Sequence, residues 1–327
     1  MTPDTTFTHD RDRLLARFGA PATEEDVTLA VVSDVHVSPS ETGTWKLFHR
    51  TESRLATAVA DANRLGVDGV VLSGDLTKDG APEEFEAVDA LLSDLSAPAV
   101  AVPGNHDVPK SFDPHDTPAL ADFVDSYTPG SLPFRADLGG VDVVGLNSAA
   151  APDGSLADGH AGHVSEDQLA WLAESVDPDR PTVAVFHHPA FAVHERVPSF
   201  STADHLRVGN ADAVAGALAD AGVDLAVSGH VHWPAVARRA GVPHLTAPAA
   251  CSFPQSYLLV RLTPEGATVT MVPLTDPEGA DEALAHAERD GARDGTLAAN
   301  LDHGYFESFP LADVASPSAS PSAVADD

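Results

Sequence analysis

Short aliphatic and β-branched runs recur along the chain, each closed by turn or polar residues. They are VTLAVVSD (27–34), VDGVVLSGD (67–75), PAVAVPGN (98–105), VDVVGLNS (141–148), TVAVFHH (182–188) and VDLAVSGH (223–230). Runs this short, without polar alternation, predict strands buried on both faces. Between them the apolar period lengthens to three or four residues. TESRLATAVADANRLG places Leu55, Val59, Ala62 and Leu65 on one helical face, with Gly66 as the stop. SEDQLAWLAESV opens with Ser165 and carries Gln168 three residues on, a capping-box pattern, and NADAVAGALADAG predicts a further helix ending at Gly222. Alternating strands and helices predict an α/β architecture with largely parallel strands.

After Pro243 the texture changes. HLTAPAA, SYLLVRL and ATVTMVPL read as shorter antiparallel strands that complete a second sheet. The expected organisation is an N-terminal extension over 1–26, a main domain over 27–275 and an acidic C-terminal extension over 276–314. That extension carries a helix at DEALAHAERD, and the low-complexity tail ASPSASPSAVADD (315–327) is expected to be disordered. The aromatic stretch LDHGYFESFPL is too apolar for a pure linker, so it is expected to dock on the body or on a second subunit of a homo-oligomer.

Composition narrows the chemistry. With 327 residues and 43% hydrophobic content, the chain can bury a substantial core. Cys251 is the single cysteine, so any metal must be held by nitrogen and oxygen ligands. The net charge of −32 comes with Lys only at 46, 78 and 110, a composition that resembles proteins of salt-loving archaea. Near-molar salt screens such self-repulsion over a few ångströms. The missing basic stripe argues against a nucleic-acid partner. The N-terminal stretch has no signal-type apolar core and no run reaches about 18 apolar residues, so a soluble cytoplasmic protein with no membrane partner is expected.

Every run except VDVVGLNS ends in a metal-competent side chain: Asp34 and His36, Asp75, Asn105 and His106, His187, then His230 and His232. Taken singly, a strand-end His or Asp is usually a cap or a turn former. Strand carboxyl ends in open α/β sheets gather on one rim, however, so these residues converge.

The ordered motifs SDVH (33–36), SGDL (73–76), GNHD (104–107), FHHP (186–189) and SGHVH (228–232) resemble those of the calcineurin-like metallophosphoesterases. The resemblance is nearest to the cyclic-nucleotide-phosphodiesterase branch. It implies a four-layer α/β/β/α sandwich of two mixed sheets flanked by helices, and two divalent ions (Mn, Fe or Zn). One ion would be held by Asp34, His36, Asp75 and His232, the other by Asp75, Asn105, His187 and His230. Cys251, in PAACSFPQSY, falls where that branch carries a polar motif, but Ala249 and Ala250 replace the polar residues and the thiol reads as a small buried hydrophobe.

Two such ions clamp a phosphate and make hydroxide available near neutrality. The expected activity is hydrolysis of a small phosphoester, a phosphodiester first. A phosphomonoesterase, a DNA-repair-type nuclease and a non-catalytic metal-binding scaffold are the alternatives. The neutral Asn105 leaves the centre a higher positive charge than Asp would. His106, left over once the ligands are assigned, is placed to serve the leaving oxygen, with Asp107 as its orienter or a turn cap. His188, Lys46 and Arg50 are expected to contact substrate or to support residues that do.

Overall fold

The computed structural model describes residues 12–198, 200–290 and 294–314, so the tail over 315–327 lies outside the described residues. The chain opens with β1 (Arg13–Phe18) and β2 (Val27–Val32), then α1 (Thr51–Leu65), β3 (Gly69–Leu72), α2 (Pro82–Leu92), β4 (Ala99–Ala101) and α3 (Leu120–Tyr127). It continues through β5 (Phe134–Leu138), β6 (Val141–Gly145), α4 (Glu166–Ser175), β7 (Thr182–Val185), α5 (Ala211–Ala221) and β8 (Leu225–Ser228). The last part holds β9 (Ala235–Arg239), β10 (Val242–Thr246), β11 (Ser256–Thr263), β12 (Gly266–Pro273), α6 (Pro277–Arg289), α7 (Asp294–Asp302) and β13 (Ala312–Asp313). No helix among the described residues is long and apolar enough to cross a membrane.

Successive side chains on a strand point to opposite faces, and here both faces are covered. Leu29, Val31 and Val71 of one sheet share a core with Val143, Val183, Val185, Leu225 and Val227 of the other. The alternate residues Ala30, Val32, Val70 and Leu72 pack instead under α1, α2 and α3 through Leu55, Val59, Val88 and Phe123. Ala184 and Ala226 likewise meet Leu172 of α4 and Val214 and Leu218 of α5. Four layers, α/β/β/α, follow directly from this double burial.

The seven-stranded sheet runs β13-β1-β12-β11-β2-β3-β4, with β2, β3 and β4 mutually parallel; the six-stranded sheet runs β5-β6-β7-β8-β10-β9. Both are mixed. The three strands after Pro243 do not stay together: β10 pairs parallel with β8, whereas β11 and β12 pair antiparallel and join the first sheet beside β2. Antiparallel neighbours need only a tight turn, so a hairpin inserts beside β2 without a crossover helix.

Both extensions contribute to this body. β1 pairs with β12, so the sheet begins before residue 27. At the other end, Tyr305 and Phe306 are buried against Trp233 and Phe253, and the Tyr305 hydroxyl donates to the Pro234 carbonyl at 2.7 Å. Two local expectations also change. Leu65 is exposed, off the buried face of α1. Gln168 makes no capping box: its amide clamps both backbone groups of Asn147, at 2.7 and 2.9 Å.

Candidate metal centre

Beyond the strand ends the backbone turns sharply, and candidate ligands occupy the turns. Asp34, His36, Asp75, His230 and His232 all lie in the left-handed region, with φ of 50°, 49°, 53°, 68° and 59°. That conformation costs a residue with a Cβ roughly 1–2 kcal/mol and persists only where its surroundings fix it. Adjacent glycines let the loops close on one another. A Cβ on Gly104 would stand 2.1 Å from Asp75 Oδ1, and one on Gly229 would stand 2.0 Å from Ser33 Oγ.

Two clusters result, and Asp75 belongs to both. In the first, His36 Nε2 lies 3.2 Å from His232 Nε2 and 3.4 Å from Asp75 Oδ2, while His232 Nε2 is 3.3 Å from Asp34 Oδ1. In the second, His187 Nε2 lies 3.2 Å from Asp75 Oδ2, and His230 brings a ring nitrogen within 4.8 Å of both. The far nitrogens are anchored: His187 Nδ1 donates to the Ser73 carbonyl (2.9 Å), His230 Nε2 to the His205 carbonyl (3.0 Å), and His232 Nδ1 meets Ser252 Oγ (2.9 Å). Anchoring one ring nitrogen leaves the other as a lone pair aimed at the cluster.

The donor set fits divalent cations. Asn105 Oδ1 is buried without a hydrogen-bond partner, a costly state that a cation relieves, and His187 Nε2 faces the Asp75 carboxylate at 3.2 Å. The Asn105 amide is fixed in this sense because its Nδ2 donates to His160 Nδ1 at 2.9 Å.

Electrostatics supports the same fit. Burial pushes the Asp75 carboxyl up, but His187, His106 and His36 outweigh it and hold it well below the usual carboxylate range. Asp34 is raised, chiefly by burial. Burial would discharge His187, yet Asp75 and Asp34 lift it to about 9. Burial holds His36 and His230 well below the ordinary imidazole value, so both offer neutral lone pairs. A cation entering between them displaces the His187 proton.

His106 stands beside both clusters. Its backbone N–H donates to Asp75 Oδ1 (2.9 Å), and its ring meets that of His36 edge-on with centroids 4.7 Å apart. The ring is not oriented by Asp107. Its Nδ1 is hydrogen-bonded to the Lys78 carbonyl and lies 3.7 Å from Asp79 Oδ1. The neighbouring His106, with further help from Lys78, holds the Asp79 carboxylate well below its usual range, so it stays anionic.

Asp107 instead ties loops together. Its buried carboxylate accepts from the backbone N–H groups of Gly104 (2.9 Å), Leu76 (3.1 Å) and Thr77 (2.9 Å) and from Thr77 Oγ1 (2.8 Å). Replacing Asp107 by Ala strands these donors, and a loss of at least about 3 kcal/mol in urea unfolding is expected. A variant as stable as the parent but lacking turnover would restore a role at His106.

The weaker candidates divide. Lys46 Nζ reaches His36, 3.2 Å from Nε2 and 3.5 Å from Nδ1, and so belongs to the site. His188 is buried behind His230 with ring centroids 4.3 Å apart; Ser148 Oγ and the His160 carbonyl hold it, and burial pushes it down to about 3. It is a neutral support. Arg50 does not face the centre: its Nε and Nη2 reach Glu282 of α6 at 2.9 and 3.3 Å. Length explains the difference, since the helical turn before α1 carries Arg50 beyond Lys46 and toward the C-terminal helix.

Sequence reasoning missed Asp79 and His160. Asp79 sits four residues past Asp75 in the same loop and was readable as a neighbour; His160, in the irregular segment DGHAGH, ends no strand and gave no signal.

The fold and this site define a metal-dependent phosphoester hydrolase. The chain belongs to the calcineurin-like phosphoesterase family, whose model matches residues 27–234. It is 27% identical over 230 residues to a 3′,5′-cyclic-nucleotide phosphodiesterase from Nostoc sp., covering 69% of this chain and 79% of that one. It is 30% identical over 125 residues to a glycerophosphodiester phosphodiesterase from Enterobacter lignolyticus, covering 37% and 42% respectively. A dimetal phosphatase from Danio rerio shares the fold, with a TM-score of 0.62 at 16% identity over 76% of this chain and 97% of that one.

Proposed function

We propose that the protein is a phosphodiesterase that works with two divalent cations. Asp34, His36, Asp75 and His232 would hold one ion, and Asp75, Asn105, His187 and His230 the other. The observation that carries this reading is the pair of clusters sharing Asp75, with Asn105 Oδ1 left unpartnered beside them. Bound there, the ions would polarise the phosphoryl oxygens and supply hydroxide near neutral pH.

The chain's own residues supply the rest. Asn105 contributes a neutral oxygen, so two cations against Asp34 and Asp75 leave a formal charge of +2. Hydroxide and a singly charged diester neutralise it, whereas a doubly charged monoester overshoots. Lys46, beside His36, is placed to meet a non-bridging oxygen. His106, held at Nδ1 by the Lys78 carbonyl, presents Nε2 to the leaving oxygen, with the Asp79 carboxylate 3.7 Å from Nδ1. The names of the relatives, a cyclic-nucleotide and a glycerophosphodiester phosphodiesterase, support a diester.

The test is hydrolysis of bis(p-nitrophenyl) phosphate by protein loaded with Mn or Zn in high salt. Turnover is expected to vanish with chelator, to return on reloading, and to exceed that of p-nitrophenyl phosphate. Chelator-insensitive turnover or a preference for the monoester would overturn the reading.

A further inference from the structure

Beside the centre, between Trp45 and His230, lies a cavity of about 340 Å³. His230, a candidate ligand, lines it, so the cavity opens on the reaction centre. Its other walls are mostly aromatic or aliphatic: Trp45, Phe200, Trp233, Phe253 and Leu297. The Trp45 ring stands 5.0 Å from that of His232. Trp233 and Phe253 are held from behind by Phe306, with ring centroids at 5.3 and 6.0 Å. Leu297, 3% exposed, comes from α7, beyond residues 27–234. A second recess, which shares Trp45 as a wall, is by contrast charged, with Lys46, Lys78, Asp79 and Arg289 on its walls.

Resting on the diesterase reading, we propose that this cavity receives a flat aromatic ring on one ester group of the substrate, with the C-terminal extension as one wall. The volume lies within the range of small-molecule sites, and rings stack favourably on Trp and Phe faces. A polyhydroxylated group such as glycerol could bond Ser201, Ser252 and Thr296 but would leave the faces of the aromatic wall residues without a stacking partner. The cavity therefore separates the two kinds of diester that the relatives represent, and it favours the ring-bearing kind.

The probe is tryptophan fluorescence of the metal-loaded full-length protein, titrated with diphenyl phosphate and with dimethyl phosphate. Diphenyl phosphate is expected to bind at least about tenfold more tightly. Trp45→Ala, in a loop, and Thr296→Phe, which fills the cavity from α7, should each shrink the ratio below about threefold. Equal affinities in the parent, or an undiminished ratio in both folded variants, would overturn the assignment. Its failure is separable from that of the activity. Selective binding without cleavage of bis(p-nitrophenyl) phosphate removes the diesterase reading and keeps the cavity, and cleavage without selective binding does the reverse.

Discussion

Replacing Asp75 by Asn is expected to lower kcat/KM for a diester at least about a thousandfold and to reduce bound metal from two ions per chain to fewer than one. Asp75 Oδ2 lies 3.2 Å from His187 Nε2 and 3.4 Å from His36 Nε2, so one oxygen faces both clusters. Its other oxygen holds the His106 backbone N–H. The substitution removes the carboxylate shared by both sites and half of the protein charge available to offset four positive charges. Asp34→Asn offers the contrast: Asp34 Oδ1 faces His232 Nε2 of the first cluster, and its contact with His230 is to the backbone N–H alone, so its loss should cost one ion, not both. Metal content by elemental analysis, measured beside kinetics, checks both variants. Two ions per chain in Asp75→Asn would refute the bridging role.

His106→Ala is expected to separate turnover from metal. Loss of a general acid lowers kcat by roughly 10²–10⁴, while both ions are expected to stay bound, because the proposed ligand sets do not use the ring of His106 even though it lies near His36 and Asp75. The loss should depend on the leaving group. A p-nitrophenolate leaves without needing a proton, so its diester should lose least, and an alkyl diester most. Equal losses across that series, or loss of metal together with activity, would reassign His106 as a structural or ligating group.

Much of this arrangement is legible in the sequence for one physical reason: a strand buried on both faces must surface at its end, and polar residues cluster where it does. Asp34, Asp75, Asn105, His187 and His230 are candidates read in that way. VDVVGLNS, the run without a candidate ligand, proves to support the centre indirectly, since Ser148 Oγ bonds His188 at 2.9 Å. What was not readable depended on which acceptors happened to be near. Asp107 adjoins His106 in sequence but is captured by three backbone N–H groups, and Asp79 takes the place expected of it. Arg50 looked available until α6 placed Glu282 against it. The same limit applies to the fold. RLLARF has the composition of a strand, but only pairing with β12 shows that it is one, and a pattern cannot reveal that β10 and β11 part company into different sheets.

The left-handed backbone at Asp34, His36, Asp75, His230 and His232 has an evolutionary consequence. Glycine is the residue that this conformation favours, so at each of these positions folding and chemistry select for different amino acids. In a duplicate gene copy released from hydrolysis, relief of backbone strain would favour glycine there, opposed by the loss of the hydrogen bonds that Asp34 and Asp75 accept. Glycine at these positions in a descendant would record that its chemistry had been abandoned, while Asp and His record that it is still under selection.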